Sequence, residues 1–164
     1  MISTDIRESA ADSVLCWLAT VSPDREPNVS PKEAFLIDNT GEIMIAHIAS
    51  PKSVANIKSN SKVCVTFIDI FTQRGYKVMG EARFVEPHAD EFVSRSESLS
   101  KMVGGDHEIL GVIVIEPKSV DDVVAPSYNI HPETTFLDMI EQSLSTYRVN
   151  HYQRVVEQDA APNR

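Results

Sequence analysis

The chain has 164 residues, 42% of them hydrophobic and 24% charged, the composition of one ordinary globular domain with room for a proper core. Its formal charge of -9 would repel a nucleic-acid strand. No apolar run approaches the ~20 residues that cross a bilayer, and the N-terminus, with Asp5, Arg7 and Glu8, lacks the basic-then-apolar pattern of a signal peptide; the expectation is a cytoplasmic protein with no membrane partner.

Residues 3–13 read as a short helix opening at Ser3 or Thr4, and Val14 to Val21 as a first strand closed by the turn chemistry of Ser22-Pro23-Asp24. Asn28 to Ile37 reads as a second strand, Asp38-Asn39-Thr40-Gly41 as the turn after it, and Ile43 to Ile48 as a third strand. At Ser50-Pro51-Lys52-Ser53 a helix begins: serine is a good N-cap, and proline suits the first helical position. Val54 and Ile57 then supply its inward stripe. Lys62 to Ile70 is the fourth strand, Gln73-Arg74-Gly75 a polar loop, and Tyr76 to Val85 the fifth strand. Pro87 to Val103 is helical through Phe92, Leu99 and Met102 and ends at Gly104-Gly105. Ile109 to Ile115 is the sixth strand, and Glu133 to Tyr147 a last helix with Phe136, Leu137, Ile140 and Leu144 on one face. Gln158 to Arg164 is a short polar end expected to fray.

Six closely spaced strands, with only short connections among the first four, predict a mainly β fold: a closed or nearly closed antiparallel barrel with peripheral helices. One domain fills residues 1–164, with the barrel at about 14–117 and a helical extension at about 118–164. Val14-Leu15-Cys16-Trp17-Leu18, Ile43-Met44-Ile45-Ala46 and Leu110 to Ile115 are apolar on both faces, so their outer face needs a cover; a second subunit predicts a homodimer. Trp17 is expected in the core. Cys16 and Cys64 sit in apolar runs and read as buried reduced thiols, with neither the spacing of a zinc site nor that of a redox pair. In a cytoplasmic chain the sequon Asn28-Val29-Ser30 is coincidental.

The helix start at Ser50 has the chemistry of an anion site: free backbone N–H groups, a partial positive charge, and Lys52 and Ser53 in the first turn. Between residues 32 and 77 six basic residues stand against four acidic ones, a net +2 inside an acidic chain. Such a region fits a small anionic ligand.

The segments LATVSPDREPNVSPKEAF, IMIAHIASPKSVANIKSNSKVCVTF and QRGYKVMGEARFV fall in that order within residues 14–86, and APSYNIHPETT with the following helix and Tyr147 closes the chain. This combination resembles the pyridoxamine 5'-phosphate oxidase-like flavoproteins with the FMN-binding split-barrel fold, in a small branch of that family. The resemblance implies a six-stranded antiparallel Greek-key split barrel and a homodimer with two FMN molecules between subunits. It implies that Ser30, Pro31 and Lys32 contact the flavin and its ribityl phosphate. His47 and Ile48 would offer backbone and side chain to the isoalloxazine edge, and Ser50, Lys52 and Ser53 would hold the phosphate. Gln73 and Arg74 match a loop that approaches the cofactor from the partner subunit. Two departures matter. Ser30-Pro31-Lys32 stands where true pyridoxamine-phosphate oxidases carry an arginine-rich motif, and Asn150-His151-Tyr152-Gln153-Arg154 does not make their substrate-gripping arginine–histidine signature.

The expected function is therefore a flavin-dependent oxidoreductase acting on another small molecule. No acid, base or nucleophile stands out in the sequence, and flavin chemistry does not require one. The alternatives are a non-catalytic FMN-binding protein for storage or electron transfer, and a split-barrel member that binds haem or a deazaflavin.

Overall fold

The computed structural model describes residues 2–104 and 107–159. Helix α1 (Thr4–Asp12) opens at Ser3, whose hydroxyl accepts from the Ile6 N–H, and buries Ile6 and Ala10. Seven strands then make one antiparallel sheet: β1 (Cys16–Val21), β2 (Pro27–Lys32), β3 (Phe35–Ile37), β4 (Ile43–Ala46), β5 (Lys62–Asp69), β6 (Arg74–Val85) and β7 (Val112–Val124). Their order is β2-β1-β5-β6-β7-β4-β3. The segment expected as one strand from Asn28 to Ile37 breaks at Glu33-Ala34, which turns six strands into seven. Its first half pairs with β1 and its second with β4. The two ends of the sheet are thus halves of one bent segment, and the sheet curls back on itself as a split barrel.

Two cores result. Inside the curl, Leu18, Val65, Phe67, Val78, Ile45 and Ile113 pack with α1 and with Val54 and Ile57 of α2 (Pro51–Ser59). Outside it, Met44 and Ala46 of β4 and Val112 and Val114 of β7 pack against α3 (Phe92–Val103) around Leu99, which is completely buried. Burying that one leucine contributes roughly 1.5–3 kcal/mol. The apolar outer face of β4, and of Val112 and Val114 in β7, is therefore covered by a helix of the same chain. Arg95 on α3 fixes the packing through Asp38 and Glu42, at 2.9 and 2.7 Å. Gly105, expected to help end α3, lies outside the described residues.

The β1 side differs. Its period-2 alternation sends Cys16, Leu18 and Thr20 inward, so Trp17 points outward and is 44% exposed, not core. Cys16 is buried, whereas Cys64 is only half-buried. Cross-strand pairing aligns Val29, Ala19, Cys64 and Met79 in one row on the outward face of four strands. Val29 and Met79 are exposed there.

Strand β7 runs nine residues past the expected Ile115. Residues 116–124 carry Pro117 and four acidic or basic side chains before the final valines, which hides them as a strand. A register shift at Met79/Gly80 accommodates Pro117, and a Cβ on Gly80 would meet the Glu116 carbonyl oxygen at 2.6 Å. After α4 (Ser127–Ile130), the expected helix over 133–147 is the shorter α5 (Phe136–Thr146), set by a Thr135–Asp138 capping box. It buries Met139 and Ser143, while Phe136, Leu137 and Leu144 are exposed, the reverse of the expected face. A further helix, α6 (Val149–Asp159), takes in Gln158 and Asp159 of the end expected to fray, and residues 160–164 lie outside the described residues.

Candidate anion-binding cleft

Strand β2 and helix α2 build the site between them. Alternation along β2 turns Asn28, Ser30 and Lys32 toward α2 and leaves Val29 and Pro31 on the outer face. Ser53 on α2 is almost fully buried, and its hydroxyl lies 3.0 Å from that of Ser30 and 3.3 Å from the Asn28 amide. These contacts lock the helix onto the strand.

The next rung differs in kind. Lys32 is 8% exposed, and its Nζ donates to Ser50 Oγ at 2.5 Å. Among the described residues no carboxylate forms an ion pair with it. Burial pushes its ammonium below the ordinary value, as expected of a cation short of countercharge. The Cys16 thiol opposite Lys32 in the β1–β2 register supplies none, because burial pushes it up to about 12 and keeps it neutral.

Ser50 was expected to cap α2 with its side chain, and it does not. Its carbonyl oxygen accepts from the Ser53 and Val54 N–H groups at 3.1 and 3.3 Å, while its hydroxyl turns to Lys32 and to His47 Nδ1, 3.3 Å away. The first helical residue is proline, so the Lys52 N–H is the first free donor of the helix. A buried cation and a hydroxyl thus meet at the residue that precedes an uncapped helix.

They border a cleft of about 450 Å³. Ser30, Pro31, Lys32, Ile48 and Ser50 line it, so five of the ten expected residues come together on its wall. Leu15, Ala34 and Ala46 add apolar floor, and Met102, Val103 and His107 come from the end of α3 and beyond. The α3 residues carried no local signal; only folding brings them there. Ser53 supports the wall from behind.

The remaining expectations fare differently. His47 is buried, its N–H donates to the Gly111 carbonyl at 2.9 Å and its carbonyl accepts from Leu110. Its backbone donor is therefore spent inside the fold, and only the ring reaches Ser50. Lys52 is exposed and forms no ion pair among the described residues. Gln73 and Arg74 are not among the residues that line this cleft in one chain. Gln73 adopts φ 54° and donates to Ser143 Oγ. The Arg74 guanidinium lies 5.5 and 5.1 Å from the ring centres of Tyr128 and Phe136.

The arrangement suits a molecule with an anionic end and a flat apolar body. A phosphate would find a cation and a hydroxyl, and the rest of the lining is mostly aliphatic apart from Glu33 and His107. Among the described residues no cluster could hold a metal ion, and no helix is long and apolar enough to cross a membrane.

Solved structures share this fold. HupZ from Group A Streptococcus is 21% identical over 76% of this chain and 99% of its own, with a TM-score of 0.63. An FMN-binding protein from Syntrophomonas wolfei subsp. wolfei is 17% identical over 73% of this chain and 84% of its own, with a TM-score of 0.63. HutZ, the haem storage protein from Vibrio cholerae, is 18% identical over 73% and 92%, with a TM-score of 0.57. No curated protein matches the sequence. The family pattern described as pyridoxamine 5'-phosphate oxidase matches residues 2–125, from α1 to the end of β7, and the chain belongs to that family.

Proposed function

We propose that this protein is a flavoprotein that holds FMN in the β2–α2 cleft and works as a flavin-dependent oxidoreductase on a small molecule. The observation that carries this reading is Lys32: a buried ammonium with a neutral hydroxyl as its hydrogen-bond partner, at the edge of a cleft sized for a cofactor. Leaving a cation so placed costs stability unless an anion arrives. The residues fit FMN. Lys32, the Ser50 hydroxyl and the Lys52 N–H would take its phosphate, and Leu15, Ala34, Ala46 and Ile48 would wall its ring. FMN would supply the redox chemistry. The chain's part is to bind, to orient and to keep water from one face.

The family and the FMN-binding neighbour favour the same cofactor. A homodimer is part of the proposal and rests on the outward row of Val29, Ala19, Cys64 and Met79 beside Trp17, an apolar strip left uncovered in one chain. One observation favours a second reading: His107 lines the cleft and could offer an imidazole to haem iron, and one neighbour is a haem storage protein. Titrating the purified protein in parallel with FMN, riboflavin and haem separates these readings. FMN binding more tightly than riboflavin supports the proposal; haem binding with no FMN binding replaces it.

A further inference from the structure

His47 is a buried titratable group that cofactor binding, as described, does not use. Its ring meets the edge of Phe84, with centroids 5.5 Å apart, and its Nδ1 faces Ser50 Oγ at 3.3 Å. Ser50 Oγ in turn accepts from Lys32. A serine hydroxyl has two acceptor sites and one hydrogen. With Lys32 on one acceptor site, the hydrogen points either to a neutral His47 Nδ1 or into the cleft. It cannot do both.

We propose that His47 is a positioning residue for the anion site, acting through the Ser50 hydroxyl to couple proton uptake on its ring to phosphate binding beside Lys32. The inference rests on the FMN reading and deepens it. With His47 neutral and its ring proton on Nε2, the Ser50 hydrogen is held by Nδ1. With His47 protonated, Nδ1 donates to the second acceptor site of Ser50, and the hydrogen turns to the ligand. Lys32, His47 and the phosphate then satisfy the hydroxyl completely.

The charged groups facing the ring are Lys32 from β2, Lys58 from α2 and Glu86 just after β6. Burial, followed by Lys32, pushes the imidazole below its ordinary value; Glu86 opposes this and Lys58 adds to it. Together these favour the neutral form of the ring in the free protein. A bound phosphate offsets Lys32 and draws off the Ser50 hydrogen, and both effects favour the imidazolium. By linkage, the coupling acts equally in both directions.

The test is a pH titration of the His47 ring by nitrogen NMR, on the free and the FMN-saturated chain, for wild type and Ser50→Ala. His47→Gln assigns the signal. FMN is expected to raise the His47 midpoint by about one pH unit, a tenfold coupling, and Ser50→Ala to remove most of that rise. An unmoved midpoint in FMN-saturated wild type overturns the inference without any variant. An equal rise in Ser50→Ala overturns the relay and leaves plain charge attraction. A flavin fluorescence titration on the same sample separates these failures from that of the cofactor reading: if FMN does not saturate wild type, both fall.

Discussion

Replacing Lys32 with methionine should have opposite effects on the free protein and on the complex. Methionine keeps the apolar stem and removes the charge. A charge-assisted hydrogen bond to phosphate contributes roughly 1.5–3 kcal/mol, so FMN affinity should fall about 10- to 150-fold. Riboflavin, which lacks the phosphate, should keep its affinity. The free protein should lose nothing: Lys32 is 8% exposed and lacks a carboxylate partner among the described residues. Substituting apolar residues for buried charges is often neutral or stabilising, and a gain of ~1 kcal/mol would raise Tm by about 2–4 °C in a chain of this size. A pH signature follows as well. Burial lowers the Lys32 value from 10.5 in the folded state, so the unfolded chain binds that proton more tightly. Wild type should then gain stability as pH rises from the lowered value to 10.5, and Lys32→Met should lack that gain. Calorimetry with fluorescence titration of both ligands measures all of this. A destabilised free variant with undiminished FMN affinity would refute the reasoning, because Lys32 would then be a structural residue.

Lys52→Ala should weaken FMN binding less than Lys32→Met, since its side chain is exposed and contributes its backbone N–H in either form; equal losses by titration would return the main role to Lys52. Met79→Glu should give a monomer by sedimentation with the barrel fold intact by circular dichroism, because it puts a charge into the uncovered strip; a persistent dimer would place the interface elsewhere. His47 is held below its ordinary 6.5 in the folded state, so stability should decline as pH falls from 6.5 toward that lowered value, and His47→Gln should remove this part of the acid slope in denaturant titrations. Pyridoxine phosphate should not turn over in an oxygen-uptake assay of FMN-loaded protein, because Lys32 is the only lysine or arginine among the described residues lining the cleft and would already be committed; turnover near ~10 s⁻¹ would contradict this.

Much of the barrel was legible from apolar pattern and turn chemistry, because local pattern and tertiary burial agree in β4 and β5. The break at Glu33-Ala34 was not, since a strand that changes partners in mid-course keeps the same local preference on both sides. The cover over β4 and β7 was misassigned for a related reason: apolar strand faces announce that something packs on them, not whether it is α3 or another chain. In the cleft, Ser30, Lys32 and Ser50 were named from the sequence, but the weight fell on Lys52. A helix start makes its first-turn side chains conspicuous, whereas the burial of Lys32 depends on β2 lying against α2. Ser50 shows the same limit. Its capping preference is real in isolation, yet Lys32 and His47 claim the hydroxyl once the fold brings them within reach. Met102 and His107 reach the cleft from far along the chain, with nothing local to mark them.

The most direct test of the central claim is a fluorescence titration of the purified, cofactor-free protein with FMN and, separately, with riboflavin. Saturable quenching at one FMN per chain is expected, with riboflavin about 10- to 150-fold weaker, the margin of one charge-assisted phosphate contact. Equal affinity for the two flavins, or no saturation by either, would contradict the assignment of the Lys32–Ser50 cleft as an FMN phosphate site.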